Sequence, residues 1–369
     1  MIYLDNGATS LPKAPGVAQA MAQAVEICGN PGRGGHAAAM AAAEIVYGCR
    51  EAAAGLFSCR PDQVVHTMSC THGLNIAIRS LVSPGDRVVI SGFEHNAVVR
   101  PLRALGADIT VAGRELFDWE DTVSAFERAL TGEVKAAVFT HVSNVFGYIL
   151  PVRQLAELCR ERGIPFILDA AQSAGMLPLD FGDLGADYIA MPGHKGLLGP
   201  MGTGLLLCRQ TGRPLMQGGT GSLSRSPEMP DWLPDAQEPG TLNVPGIAGL
   251  WKALAFVSRQ GPEALGLREQ RQADLCGKGL ENLGLRVFRG PHQAGTVSFL
   301  PKGDPELAAQ RLSDRGFALR AGLHCAPLAH ESAGTLDSGT LRVSFGRTAN
   351  FWDTAHFLKA VSKLPERDD

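Results

Sequence analysis

The sequence predicts an α/β fold built on a mainly parallel sheet, followed by a small α+β domain at the C-terminal end. Three observations carry that expectation. Short apolar runs rich in β-branched residues recur over roughly residues 15–250, helix-like segments separate them, and the alternation changes character after that point. The runs are Arg87 to Ser91 (RVVIS), Ala107 to Val111, Ala136 to His141, Pro165 to Asp169, Tyr188 to Met191 and Gly204 to Cys208. They are short enough for buried strands and mostly apolar, as strands covered on both faces tend to be. Trp119 to Leu130 and Val152 to Arg162 read as helices between them, and the apolar spacing of Leu74 to Leu81 is also helical. A Pro/Gly-rich stretch from Pro227 to Gly246 leads into a long helical pattern from Ile247 to Leu283, interrupted at Gly261-Pro262. Beyond it come strand-like Thr296 to Leu300, a helix from Pro305 to Arg315, strand-like Ala318 to Ala321 and Thr340 to Ser344, and a last helix from Phe351 to Lys363.

Composition narrows the function classes. The chain has 369 residues, which suggests two domains, and its 45% hydrophobic against 19% charged residues favour a substantial core over disorder. With 34 Lys+Arg against 37 Asp+Glu and no basic run, the footprint of a nucleic-acid binder is missing. The start MIYLD does not read as a signal peptide, and no apolar run reaches the ~18 residues of a membrane span. Eight scattered cysteines, without CxxC pairs or metal-ligand spacing, read as free thiols of a cytoplasmic protein and imply no metal. Glycine is in excess, at 44 of 369 residues or about 12% against ~7% in ordinary proteins. Such an excess, without a repeat or a linker, hints at backbone that approaches a buried ligand.

In open α/β sheets ligands gather beyond the carboxyl ends of the strands. There the sequence places His95, then His141, Ser143 and Asn144, then Asp169 and Gln172, then His194-Lys195 within MPGHKGLLGPMGTG. The glycine-rich loop lacks the GK[ST] ending of a P-loop, so nucleotide hydrolysis is disfavoured. An aspartate at the end of an apolar strand, 26 positions before a lysine in such a loop, suits pyridoxal phosphate. That cofactor needs a Schiff-base lysine and an acidic partner for its pyridinium nitrogen. Local roles remain open for several residues: Asp169 and Thr71 as helix N-caps, Cys70 as a small packing group, and His66 and His141 as core or loop histidines.

Taken together, the segments YLDNGATSLPK, HTMSCTHGLNIAI, FEHNAV, HVSNVFGYILPV, LDAAQSAG, GHKGLLGPMGTG, EPGTLN, RAGLHCAPL and LRVSFG resemble, in order, the class-V aminotransferase-fold enzymes of the cysteine desulfurase and selenocysteine lyase family. The resemblance implies the aspartate aminotransferase-like fold of pyridoxal phosphate enzymes, with a seven-stranded-type sheet. It places an N-terminal segment (1–14) against the small domain, a cofactor-binding domain over 15–250, and a linker helix with the small domain over 251–369. Position by position, Lys195 would be the Schiff-base lysine and Asp169 the partner of the pyridine nitrogen. His95 would stack on the ring and help move protons. Gln172 and Asn144 would contact the phenolic oxygen, Asn144 also lying near the substrate carboxylate. Thr71 and His194 would hold the phosphate, with Cys70 beside them, and Thr241 would reach it from the other subunit of a homodimer with shared sites. For Thr71 a helix N-terminus adds a physical reason, because free N–H groups and the dipole favour anions. Arg33 and His36, in NPGRGGH, resemble an active-site loop of the family or an ordinary turn.

Cys325 selects the reaction. Its setting RAGLHCAP resembles the short RxGxHC segment of one desulfurase group, its flanking Gly and Pro suggest an exposed loop, and His324 is a candidate to favour the thiolate. Arg342 matches the residue that pairs with the substrate α-carboxylate, where a planar fork binds bidentately, and Arg347 reads as a surface charge. The expected reaction takes L-cysteine to L-alanine and leaves the sulfur on Cys325 as a persulfide, for a protein or thiol acceptor. Selenocysteine lyase chemistry and a non-catalytic, cofactor-binding or sulfur-carrying role are the alternatives. Two positions depart from the family pattern: Pro192 stands where a phosphate-contacting hydroxyl is usual, and Ala236 where an arginine often precedes the glutamate of EPGT.

Overall fold

The computed structural model describes residues 1–32 and 34–365; Arg33, singled out from its motif, lies outside them. In chain order the strands are β1 (Ile2–Tyr3), β2 (Val64–Thr67), β3 (Arg87–Ser91), β4 (Asp108–Ala112), β5 (Val134–Thr140), β6 (Phe166–Asp169), β7 (Tyr188–Pro192) and β8 (Gly204–Cys208). They are followed by β9 (Arg286–Phe288), β10 (Thr296–Leu300), β11 (Phe317–Ala318), β12 (Arg320–Gly322) and β13 (Thr340–Ser344). Seven of them form one sheet in the order β2-β8-β7-β6-β5-β3-β4. All its pairings are parallel except the two made by β8, so β8 alone runs against the others. The α/β fold with a mainly parallel sheet is therefore as the sequence indicates.

Why the strands lie inside is plain from their side chains. β2, β6, β7 and β8 are buried at every position, so both faces need cover. One face packs on the helices Ala37–Phe57, Trp119–Ala129 and Val152–Glu161 through Phe57, Phe126, Phe139 and Leu155. The other packs on Cys70–Leu81 and Asn96–Leu105 through Leu74, Ile78, Val98 and Leu102. The long helical pattern divides at Gly261 into Val244–Gln260 and Pro262–Asn282, as the Gly-Pro pair indicates. A second sheet, antiparallel in the order β12-β13-β10-β9, shares a core with Pro262–Asn282, Pro305–Asp314 and Phe351–Val361 through Phe299, Val343 and Phe357. β1 lies parallel to β11, which seats the N-terminal segment beside that second sheet.

The expected single strand Ala318 to Ala321 is in fact two. β11 pairs with β1 while β12 pairs with β13, so the chain passes from one sheet to another within a few residues. The expected helix Leu74 to Leu81 begins earlier, at Cys70, because Ser69 rather than Thr71 caps it: its hydroxyl accepts the N–H of His72 at 3.2 Å. Among the described residues no helix is long and apolar enough to cross a membrane.

Two glycines bring the functional loops together. Gly175 adopts a left-handed backbone (φ +84°), and a Cβ there would collide with the carbonyl of Gly196. A Cβ on Gly196 would in turn strike the carbonyl of Ala174. The turn after Asp169 and the loop of Lys195 can touch backbone to backbone only because both positions lack side chains.

Candidate active site

Six of the seven strands end on the same edge, so the residues after β2, β3, β5, β6 and β7 converge there: Cys70, His95, Asn144, Asp169 and Lys195. Lys195 is half-buried, and its Nζ makes no hydrogen bond or ion pair among the described residues. Desolvation pulls its ammonium below the ordinary lysine value, and Arg342 and Arg320 push the same way while Asp169 opposes them. Asp169 is 3% exposed. Its Oδ1 accepts the N–H of Ala171 at 2.8 Å and the thiol of Cys70 at 3.4 Å, an Asx-type turn rather than a helix cap. Cys70 is thus more than packing, and burial keeps its thiol neutral by raising its pKa far above the ordinary value.

His95 caps the helix Asn96–Leu105: its Nδ1 accepts the N–H of Ala97 at 3.0 Å, which puts the proton of the neutral ring on Nε2. Burial lowers its pKa, with Asp169 opposing and Lys195, Arg100 and Arg342 assisting. Its neighbour Glu94, which sequence reasoning passed over, is fully buried and ties the end of β3 to β5 by accepting from Ser91 and from the Thr140 N–H. Burial raises that carboxyl to about 8, so it is a neutral clamp at neutral pH.

Asn144 joins three parts of the site. Its Nδ2 donates to the carbonyl of His324 at 2.8 Å, and its own carbonyl accepts from Arg342 Nη1 at 2.9 Å. Arg342, with a side chain 2% exposed, also donates through Nη2 to Asp5 Oδ1 at 2.7 Å. The other oxygen of Asp5 pairs with Arg320 at 3.1 Å. Asp5 is 337 positions from Arg342, and no local spacing marks that pairing.

Cys325 is exposed, and its carbonyl accepts the N–H of Asn96 at 2.8 Å. Both His324 (φ +53°) and Cys325 (φ +57°) are left-handed, each costing about 1–3 kcal/mol that the bonds from Asn144 and Asn96 help to hold in place. The expectation that His324 favours the thiolate is corrected here. Its ring is turned inward, Nδ1 donating to the carbonyl of Gly322 at 2.7 Å, and burial with Arg342 nearby pushes its pKa down to about 2. A neutral, buried imidazole offers the thiol no positive charge.

The remaining predicted residues fall in different places. Gln172 donates to the carbonyl of Gly7 at 2.9 Å. His194 contacts the hydroxyl of Thr9 at 3.0 Å through Nδ1, and burial lowers its pKa to about 4. Thr71 is exposed in the first turn of its helix. Thr241 is exposed in a separate open cleft of about 1000 Å³ lined also by Asn30, Tyr47, Thr220 and Glu238. His66 and His141 are buried, as expected of core histidines; His66 Nδ1 lies 3.4 Å from Glu238 Oε1, while His66 Nε2 and His141 Nδ1 have no hydrogen-bond partner among the described residues. His36 caps the helix Ala37–Phe57. Arg347 donates to the carbonyl of Lys13 at 3.1 Å.

The two departures have local answers. Where Ala236 stands, fully buried, Glu238 takes its cation from Arg50 on the helix Ala37–Phe57 (Nη1 to Oε1, 2.9 Å). Pro192 ends β7, and hydroxyls reach the next turn from elsewhere: Thr9 and Ser10 donate to the carbonyl of His194 at 3.1 and 3.0 Å. Pyridoxal phosphate suits the donor set. Lys195 Nζ, Asp169 Oδ2 and His95 Nε2 have no hydrogen-bond partner among the described residues, and the three groups influence one another electrostatically. An amine, a carboxylate and a neutral imidazole are what an aldehyde, a pyridine nitrogen and an aromatic face require.

Comparison with known proteins agrees. The description "Aminotransferase class-V" fits residues 2–356. A probable cysteine desulfurase of Methanothermobacter thermautotrophicus is 30% identical over 99% of this chain and 94% of its own, and one of Xylella fastidiosa is 30% identical over 99% and 91%. The solved apo cysteine desulfurase of Thermococcus onnurineus superposes with a TM-score of 0.90 at 28% identity, covering 98% of this chain and 94% of that one. The cysteine desulfurase CsdA of Escherichia coli gives 0.87 at 26% identity, with the same coverage of 98% and 94%. With a family match over nearly the whole chain and the sheet-edge constellation that the family's motifs describe, the chain belongs to the class-V aminotransferases.

Proposed function

We propose that the protein is a pyridoxal phosphate-dependent cysteine desulfurase, converting L-cysteine to L-alanine with the sulfur transferred to Cys325. The observation that carries the reading is the seat of Cys325: an exposed thiol on a left-handed loop whose two carbonyls are held by Asn144, after β5, and by Asn96, beside His95. A structural cysteine has no use for such a tether. When bound, the cofactor supplies an electron sink for bonds at the substrate's Cα.

The chain's own groups then divide the work. Lys195, whose ammonium form burial disfavours, anchors the cofactor and serves as the base at Cα. Asp169 would keep the pyridine nitrogen protonated, and Cys70 and Ala171 hold its carboxylate in place. His95, with Nδ1 fixed by Ala97, presents Nε2 for stacking and proton transfer. Thr71, at a helix N-terminus, and His194 would hold the phosphate, and Gln172 and Asn144 would contact the phenolic oxygen. Arg342 receives the substrate carboxylate. The Cys325 thiolate forms an S–S bond to the substrate sulfur as the C–S bond breaks, and the carbon is protonated to give alanine. Thr241, open on the surface beside its cleft, reaches the phosphate of a second copy in a homodimer with shared sites. Free thiols throughout the described residues suit a reducing compartment such as the cytoplasm.

Mass spectrometry after L-cysteine treatment tests the reading: a 32 Da gain on Cys325 is expected, and alanine formation with an unmodified Cys325 overturns its role. Turnover of selenocysteine, but not cysteine, by Cys325→Ala would instead favour a lyase. Loss of cofactor absorbance in Lys195→Ala checks the anchor.

A further inference from the structure

Asp5 brings a carboxylate to the place reserved for the substrate's. Arg342 is 2% exposed at its side chain, its Nη1 is engaged by the backbone carbonyl of Asn144, its Nη2 by Asp5 at 2.7 Å, and its buried Nε has no partner among the described residues. Exposure then rises outward, to 14% for the side chain of Asp5 and 49% for that of Arg320, whose Nη2 lies 3.1 Å from the second oxygen of Asp5. Two guanidiniums against one carboxylate leave one net positive charge, which a single incoming carboxylate neutralises. A guanidinium buried this deeply is costly to leave unpaired, yet a site that binds and releases an anion must pass through a state without it.

We propose that Asp5 is a stand-in for the substrate carboxylate: it pairs with Arg342 in the substrate-free protein and moves onto Arg320 alone when an amino-acid carboxylate takes Arg342. The inference rests on the desulfurase reading of Arg342. Exchange of one carboxylate for another keeps the buried cation paired throughout. Of the two groups on Arg342, the Asn144 carbonyl is fixed main chain, so the side chain of Asp5 is the one free to leave. The backbone around it stays anchored, since Asn6 donates to the carbonyl of Ser344 and Gly7 to the Ser344 hydroxyl at 2.7 Å.

The test uses the cofactor-loaded protein and 3-mercaptopropionate, a thiol with the carboxylate but no amino group, as a competitive inhibitor against L-cysteine. In Asp5→Asn the competitor is removed, and the Ki falls about fivefold, the scale of one charge pair in a site that solvent reaches. In Arg320→Gln, Asp5 has no second cation to move to, and the Ki rises. Inhibition by cysteamine, which lacks the carboxylate, stays the same in Asp5→Asn, which separates the effect from general damage. As a readout independent of turnover, 3-mercaptopropionate raises the melting temperature of Asp5→Asn more than that of the wild type. A Ki that is unchanged or higher in Asp5→Asn overturns the proposal and leaves Asp5 a fixed support of Arg342. Failure of the wild type to make alanine from cysteine would overturn the desulfurase reading instead, while the melting shifts would still report whether a carboxylate displaces Asp5.

Discussion

At the scale of single residues, the loop of Cys325 depends on hydrogen bonds whose donors sit far away in sequence. Asn144 spends its amide on the carbonyl of His324, so truncation leaves that carbonyl and a left-handed pair of residues unsupported. Asn144→Ala is expected to slow persulfide formation on Cys325 by about 10²-fold, the cost of misplacing a reacting group by an ångström or so, measured by rapid quench and mass spectrometry. A rate within twofold of wild type would show that the loop holds itself. His324 yields a second expectation. Because its imidazole is buried and neutral, His324→Asn should leave the pH profile of Cys325 alkylation by iodoacetamide in place; a shift upward would mean that a charged ring had been lowering the thiol's pKa. The sequence puts His324 beside Cys325 but carries no information on where its ring turns. Lys195, Asp169 and His95 were legible because each follows an apolar run in an ordered motif. Asp5 was not, because its partner lies 337 positions away.

The elements show the same division. Strands such as β3 and β8 coincide with their apolar runs, because burial on both faces leaves a nearly continuous hydrophobic signature. β2 escaped notice because it is only four residues long and holds His66 among its apolar residues. The helix Ala37–Phe57 escaped for a different reason: alanines and glycines fill it, and Gly48 meets the Trp251 ring on Val244–Gln260, so its packing is set by close contact rather than by a stripe of large side chains. The helix that opens the phosphate region depends on its cap. Ser69→Ala should cost about 1 kcal/mol in urea unfolding, since the N–H of His72 loses its acceptor. It should also weaken phosphate retention, read as a higher concentration of pyridoxal phosphate needed for half-saturation; an unchanged value would move the phosphate away from this terminus.

Across the whole molecule, two carboxyls at the junctions of the fold, Glu238 buried and Glu269 half-buried, oppose each other in pH. Glu238 tethers β2 to the helix Ala37–Phe57 through Arg50 and accepts the N–H of His66 at 2.5 Å. Although burial alone would raise its pKa, Arg50 and the hydrogen bond with His66 outweigh it and hold the carboxyl near 2, below its ordinary 4.5. A depressed carboxylate contributes stability that is fully present above about 4.5 and is lost as the pH falls toward 2. Glu269 does the reverse. It lies on Pro262–Asn282 and lines a small cavity, about 40 Å³, together with Gln172, Lys195, Thr296 and Ser344. Burial raises its carboxyl to about 8, so the folded protein holds a proton that the unfolded chain gives up near 4.5. Its contribution is therefore present below about 4.5 and lost as the pH rises through 8. Glu269→Gln keeps the shape and removes the titration, so its unfolding free energy should gain on that of the wild type steadily between pH 5 and 8 and match its trend below 4.5. Denaturant titrations across that range decide it. Parallel curves for the two proteins up to pH 8 would mean that water in the cavity solvates the carboxylate well enough to leave it ionised beside the lysine loop.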